Sequence, residues 1–430
     1  WENLSSNLPV NASSPFDRFN CQGGYDLFVR MQPGSNTLFI GGTNIYRSTD
    51  AFATSSNIQQ IGGYGISTVL PFFTVYPNHH PDQHDLLFLP SDPQKAYNVC
   101  DGGVYFTDNI MSPLVEWQSK NNGYLTSQFY TINIDESTAF SPWLLGGLQD
   151  NGNYISASRN PQHSWYLPFN GDGSYSYIAP NRDFYVMSTQ LGRMVKFELN
   201  QHGYVVARRR IDPEGYKKED YNFIHPFIVD PNDNNIMYTP IGKRIARLNS
   251  LRDLPLNNDT ARLKNSWTIF SDTIKTPTYS DGAISEISAL AVSKNDPNIL
   301  YFGTNNKEMF RVDNANTGNP SYVLLDTVSK RLPVGGYVSD IAVDPDSAKN
   351  VLICYSNYGI FSLFYTNDFG NNWYFVGGNL EFGAKNPTGA DPSIRSVNIL
   401  VDKNGKRYYF AGTSIGLFST DNLVLSTSAA

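Results

Sequence analysis

Two groups of side chains in this sequence could do chemistry. The first is the run Asn78-His79-His80-Pro81-Asp82-Gln83-His84-Asp85, which holds three of the six histidines. Imidazole and carboxylate groups this close could hold a divalent metal, with His80, Asp82 and His84 as candidate ligands. Adjacent residues in an extended segment point to opposite sides, so His79 and His80 do not easily face one ion. The competing reading of the run is a hydrogen-bonded loop. The second group is Asp101, Asp150 and Asp172, each beside glycine in CDGG, QDNG and GDG. Glycoside hydrolysis needs two carboxyl groups, ~5–5.5 Å apart for retention and ~6.5–9.5 Å for inversion. Equivalent positions in successive repeats could bring Asp101, Asp150 and Asp172 together as candidates for such a pair. Asp82, His84, Asp101, Gln149, Asp150, Asn151 and Asp172 could equally contact a ligand without turning it over. Asp between glycines is also an ordinary turn solution.

Other chemistries find little support. No GxSxG, HExxH or P-loop occurs, and no dinucleotide fingerprint follows a strand. Cys21, Cys100 and Cys354 show no metal or redox spacing, allow at most one disulfide, and read as small buried hydrophobes. No cofactor is required, though a divalent ion such as calcium fits the first cluster. The net charge of −7 and the lack of a basic cluster beyond Arg208-Arg209-Arg210 argue against nucleic acid as a partner. No apolar run approaches the ~20 residues of a spanning helix. The chain begins at Trp1 without a signal sequence and reads as processed or trimmed.

The elements that must position these residues are strands. Only 17% of the 430 residues are charged while 14% are aromatic, and 34 Gly and 25 Pro make the chain rich in turns. One pattern recurs at a period of about 50 residues: an apolar strand, an Asp- or Asn-bearing turn, a second apolar strand ending in small residues, then a third. Clear copies run over 27–46, 86–105, 227–245, 290–310, 341–361 and 399–418, with looser ones at 130–155 and 177–195. The expectation is an all-β chain, a single β-propeller domain spanning 1–430, of about eight four-stranded blades. Merging the two looser copies would make seven.

A second signature is Thr366-Asn367-Asp368-Phe369-Gly370-Asn371-Asn372-Trp373, which matches the Asp-box turn Ser/Thr-x-Asp-x-Gly-x-Thr/Asn-Trp. Thr366, Asp368, Gly370 and Trp373 are expected to be structural: Asp368 accepts from the turn's backbone, Gly370 takes positive φ, and Trp373 packs beneath. Degenerate relatives stand at Ser48-Thr49-Asp50, at Phe106-Thr107-Asp108 with Trp117, and at Ser419-Thr420-Asp421. Because Trp opens the outermost strand of such a unit, Trp1-Glu2-Asn3-Leu4 is expected to complete the C-terminal blade and close the ring.

With these features the sequence resembles the Asp-box (BNR-repeat) propellers, a group that includes sortilin-type receptors and xyloglucan-hydrolysing enzymes. It is more closely similar to secreted glycosyl-hydrolase-like propellers of Bacteroidetes. The carriers are Gln22-Gly23-Gly24-Tyr25-Asp26, Asp82-Gln83-His84, Asp101-Gly102-Gly103-Val104-Tyr105, Asn121-Asn122-Gly123-Tyr124 and Gln128-Phe129-Tyr130. Gly146-Gly147-Leu148-Gln149-Asp150-Asn151-Gly152 and Gly171-Asp172-Gly173 extend the likeness. The resemblance implies a secreted or cell-surface protein that binds a polysaccharide, a glycoprotein or a surface protein through its central funnel, without catalysis. Two rivals stand beside it. One is a xyloglucanase-like hydrolase, in which the resemblance makes Asp101 the base and Asp172 or Asp82 the acid. The other is a structural subunit of a surface or secretion assembly. Tyr124, Tyr130, Trp143, Trp165, Tyr166, Tyr175 and Tyr177 suit stacking on sugars or on a protein, or packing between blades.

Overall fold

The computed structural model describes residues 1–9, 19–65, 68, 73–124, 126–275, 285–294, 298–327, 330–381 and 392–427. Among these, eight antiparallel meanders follow one another along the chain, seven of four strands and one of three, with no α-helix. The fold is an all-β propeller of eight blades. Sheet 1 comprises Phe28–Met31, Leu38–Gly41, Ile45–Ser48 and Ile58–Gly62. Sheet 2 comprises Gln83–Leu89, Asp92–Cys100, Gly103–Thr107 and Gln118–Ser119. Phe129–Ile134, Trp143–Leu148, Gly152–Ala157 and Tyr166–Phe169 make sheet 3; Gly173–Ile178, Tyr185–Thr189, Arg193–Leu199 and Val205–Arg210 make sheet 4. The two loose repeats are thus separate blades. Sheets 5 to 7 begin at Ile228, Ile287 and Val338, and the three-stranded sheet 8 runs from Ile394 to Thr420.

The chain forms two compact units, residues 1–132 with 142–174, and residues 133–141 with 175–430. In the first, Phe28, Phe39 and Ile45 of sheet 1 pack on Leu86, Phe88 and Trp117 of sheet 2. In the second, each core lies between consecutive sheets, as where Tyr301 and Met309 meet Ile353, Phe364 and Trp373. Burial on both faces explains the continuous apolar runs: all five residues of Leu300–Thr304 are buried.

Turn chemistry repeats with the blades. Between first and second strands Asp230, Asp344 and Asp402 each accept the N–H two residues on, all at 2.8 Å. The corresponding turn at Asn295-Asp296-Pro297 lies outside the described residues. Between third and fourth strands, Thr366 Oγ1 donates to Asp368 Oδ1 (2.8 Å) and accepts from Gly370 N–H (3.0 Å). Asp368 Oδ1 also accepts Asn372 N–H at 2.9 Å, Gly370 has φ 85°, and Trp373 is fully buried. Sheet 1 copies this arrangement: Ser48 Oγ donates to Asp50 Oδ1 (2.7 Å) and accepts Phe52 N–H (2.8 Å).

Closure by the N-terminal strand is the part of the expectation that the described residues do not show. Trp1–Leu4 form no strand, Trp1 is fully exposed, and sheet 8 has three strands. The local reason is that Asn3 Oδ1 accepts Ser5 N–H (3.0 Å) and turns the chain into a short 3-10 segment, Ser5–Asn7. Asn7 then donates to the Phe52 carbonyl at 2.9 Å, tying the segment to sheet 1. At the other end, Ser426 exchanges backbone hydrogen bonds with Phe375 of sheet 7, at 3.0 and 3.1 Å.

Candidate functional site: a carboxylate cluster in the first unit

In an antiparallel meander, the entry to the first strand and the turn between the second and third lie at the same end. The acidic residues of the first unit use those two kinds of position. Asp26, Asp82 and Asp172 stand one or two residues before the first strands of sheets 1, 2 and 4. Asp101 and Asp150 sit in the second-to-third turns of sheets 2 and 3. Backbone contacts fix them. Asp82 N–H donates to Thr43 O (3.0 Å), Gln83 N–H to Gly42 O (2.8 Å), and Asp101 N–H to Asp82 O (3.1 Å). Asp82 and Asp150 hold positive φ, 63° and 59°, a conformation that Asp tolerates better than most residues. Asp172 approaches Asp150 because glycines meet beside them: a Cβ on Gly173 would lie 2.0 Å from Gly152 O and 2.8 Å from Gly147 Cα. Only glycine permits that approach.

The result is that one oxygen each of Asp82, Asp101 and Asp150 lies within 4.8 Å of the others. Gln22 Nε2 donates to Asp82 Oδ1 at 2.7 Å. Asp101 Oδ1 meets His84 Nε2 at 2.5 Å and accepts the Tyr25 hydroxyl at 3.2 Å. Asp172 Oδ1 accepts Asp150 N–H at 3.0 Å. Asp26 is fully buried, and neither of its carboxylate oxygens accepts from any other residue. Among the described residues, no Lys or Arg pairs with Asp26, Asp82, Asp101 or Asp150.

Crowding of like charges under partial burial has the expected electrostatic effect. Burial, then Asp101, pushes the Asp26 carboxyl up to about 6. Burial, then Asp26 and Asp101, pushes Asp82 up to about 7. Asp150 is raised further, by burial and then by its hydrogen bond with Asp172. The surrounding phenols shift the same way: burial, then Asp101, takes Tyr25 up to about 12, and burial, then Asp172 and Asp150, takes Tyr130 up to about 12. Tyr64 rises through burial and then Asp82.

Of the residues singled out in the sequence, the structure brings Asp82, Asp101, Asp150 and Asp172 together with His84, Gln149 and Asn151. Asn151 Nδ2 donates to the Asp101 carbonyl (3.3 Å), and the Tyr130 hydroxyl donates to Gln149 Oε1. It does not bring His80, Asp82 and His84 together as a ligand set. His80 Nδ1 lies 2.9 Å from the Pro81 carbonyl and Nε2 lies 2.6 Å from that of Asp150, while His84 turns to Asp101. His79 points the other way, fully buried against Trp117 and Tyr105. Among the aromatics, Tyr124 and Tyr130 are exposed, whereas Trp143 is buried. Asp26, Gln22, Tyr25 and Tyr64 were not expected as site residues. The signal available was Asp26 standing just before an apolar strand, as Asp82 and Asp172 do.

Comparison with protein-family models finds no match, and comparison with curated proteins finds none either. Three solved structures are similar in fold at low sequence identity. YCF48 from Cyanidioschyzon merolae is 12% identical, with a TM-score of 0.44, over 78% of this chain and 94% of its own. The Cps50 (Swd1) β-propeller domain of Myceliophteria thermophila is 12% identical, with a TM-score of 0.38, over 77% and 94%. The computationally designed Ika8 protein is 10% identical, with a TM-score of 0.39, over 92% and 96%.

Proposed function

We propose that this chain is a secreted or cell-surface binding propeller of the Asp-box kind, and that it takes a carbohydrate at the carboxylate cluster without hydrolysing it. The observation that supports this is the spacing of Asp82, Asp101 and Asp150, whose nearest oxygens lie within 4.8 Å of one another. Acceptors converging this closely suit a bound group that offers several donors. Asp101, the candidate base, is also engaged by His84 and Tyr25, and Asp172, the candidate acid, by the Asp150 amide. Clustered acceptors beside exposed tyrosines suit hydroxyl donors on a sugar with a ring face to stack. Tyr25 and Tyr130 are 58% and 40% exposed at the rim.

The test is a polysaccharide panel assayed for binding and for release of reducing ends, with Asp101→Asn and Tyr25→Phe alongside wild type. Saturable binding without release, weakened by both substitutions, is expected. Release that disappears in Asp101→Asn would establish the hydrolase instead. Absence of binding across the panel would leave a protein partner or a structural role as the reading to pursue.

A further inference from the structure

We propose that Asp82, Asp101 and Asp150, backed by Asp26, form a binding site for a divalent cation of the calcium class. Two oxygens on one calcium ion, each at about 2.4 Å, can lie at most about 4.8 Å apart. The three carboxylates meet that bound as they stand. Calcium accepts irregular, carboxylate-rich oxygen sets, whereas magnesium demands a near-ideal octahedron and keeps much of its water. The donors facing the centre are oxygens. His80 is occupied by two carbonyls and His84 by Asp101, so neither supplies the nitrogen that zinc prefers.

A group of acidic side chains alone would not make a site; Asp26 is the independent observation. It is fully buried, neither oxygen accepts from any other residue, and its carboxyl lies within electrostatic reach of Asp82 and Asp101. A buried carboxylate with no other residue bound to either oxygen is costly unless a cation compensates it. A divalent ion at the centre would do so for Asp26 and for the three ligands at once. Gln22 holds one oxygen of Asp82 and His84 holds Oδ1 of Asp101, while the Tyr25 hydroxyl donates to both oxygens of Asp101 (3.2 and 3.4 Å), which orients the two carboxylates.

The inference does not depend on the carbohydrate reading, because the probe is the metal alone. The whole chain is stripped with chelator, then titrated with calcium, magnesium and terbium. Terbium luminescence excited through tyrosine reports the site, since the Tyr25 hydroxyl touches Asp101. Asp82→Asn and Asp150→Asn are the main variants, because Asn also tolerates positive φ and keeps the turns. Asp26→Asn is the third, and circular dichroism checks that each variant is folded. Expected is saturable terbium emission displaced by calcium more readily than by magnesium, with calcium affinity reduced about tenfold or more in each variant. Two results would overturn the proposal: no saturable calcium binding at about 10 mM, or binding of equal affinity in wild type and all three folded variants.

Discussion

His79 shows how little residue type alone decides. In sequence it belongs to the densest polar run of the chain, yet it lies in the core between sheets 1 and 2. Its Nδ1 accepts Gly63 N–H (3.1 Å), and its Nε2 faces Asn98 Oδ1 (2.9 Å). Asn98 is oriented by donating its own amide to Asp85 O, so the imidazole carries its proton on Nε2. His225 repeats the arrangement, with Nδ1 accepting from Asn222 N–H and Nε2 donating to the Pro240 carbonyl. Burial lowers both, His79 to about 3 and His225 to about 4. A histidine near 6.5 when unfolded and about 3 when folded takes up its proton first in the unfolded chain. Its contribution to stability is therefore complete above pH ~6.5 and declines as the pH falls toward its folded value. His79→Gln should cost about 1–3 kcal/mol at neutral pH, because the buried Gly63 N–H loses its acceptor. The difference from wild type should then shrink by about 1.4 kcal/mol per pH unit below ~6.5. Comparing the two proteins cancels titrating groups that do not interact with His79. Urea unfolding from pH 7 to 5 checks it, and a difference that stays constant with pH would refute the burial of a neutral imidazole.

At the scale of strands and turns, the repeat carries more than the sequence pattern disclosed. A basic residue in the third strand reaches the outer turn of the next sheet. Arg47 donates to Ile110 O (2.5 Å), Lys196 to Arg252 O (2.7 Å), Arg247 to Ala315 O (2.6 Å) and Arg311 to Phe369 O (3.2 Å). Tryptophan indoles make a parallel tie: Trp117 Nε1 donates to Ile61 O (2.7 Å) and Trp267 Nε1 to Ile211 O (2.8 Å). The strands and the Asp-bearing turns were legible because period-two alternation and Asx turns act through neighbouring residues. These ties were not, since donor and acceptor stand 56 to 68 residues apart. A lone cation inside an apolar strand, as in Tyr46-Arg47-Ser48 or Ala246-Arg247-Leu248, was the one available hint. The guanidinium of Arg247 also donates to Gly318 O at 3.1 Å, so Arg247→Met should destabilise by about 2 kcal/mol or more by orphaning a buried carbonyl. Arg247→Lys, which retains a charge but loses the fork, should recover part of that. Equal stability of Met and Lys variants in thermal unfolding would show that the stem, rather than the hydrogen bonds, is what matters.

Over the whole chain, the eight-blade count was readable because each copy of the pattern maps onto one sheet. The carboxylate cluster was readable in part. Asp101, Asp150 and Asp172 stood out by their glycines, but Asp26 and the tyrosines near the cluster gain meaning only when these carboxylates come together within the first unit. Among the described residues the last sheet has three strands, as the sequence foreshadowed where its final copy ends at Ser419-Thr420-Asp421 without an outer strand of its own. The consequence is a gradient of stability along the molecule. Leu300–Thr304, second of four strands in sheet 6, is bonded on both sides and buried at every residue. Among the described residues Gly416–Thr420 pairs with Arg407–Thr413 and no other strand, and it is exposed at every residue. Amide groups of the first should exchange only through global unfolding, and those of the second through local fraying. Native-state hydrogen exchange read by mass spectrometry should therefore separate them by at least roughly a thousandfold, given that domains unfold at ~5–15 kcal/mol. Protection of Gly416–Thr420 equal to that of Leu300–Thr304 would mean that a further strand covers this edge in solution. The eighth blade would then be complete.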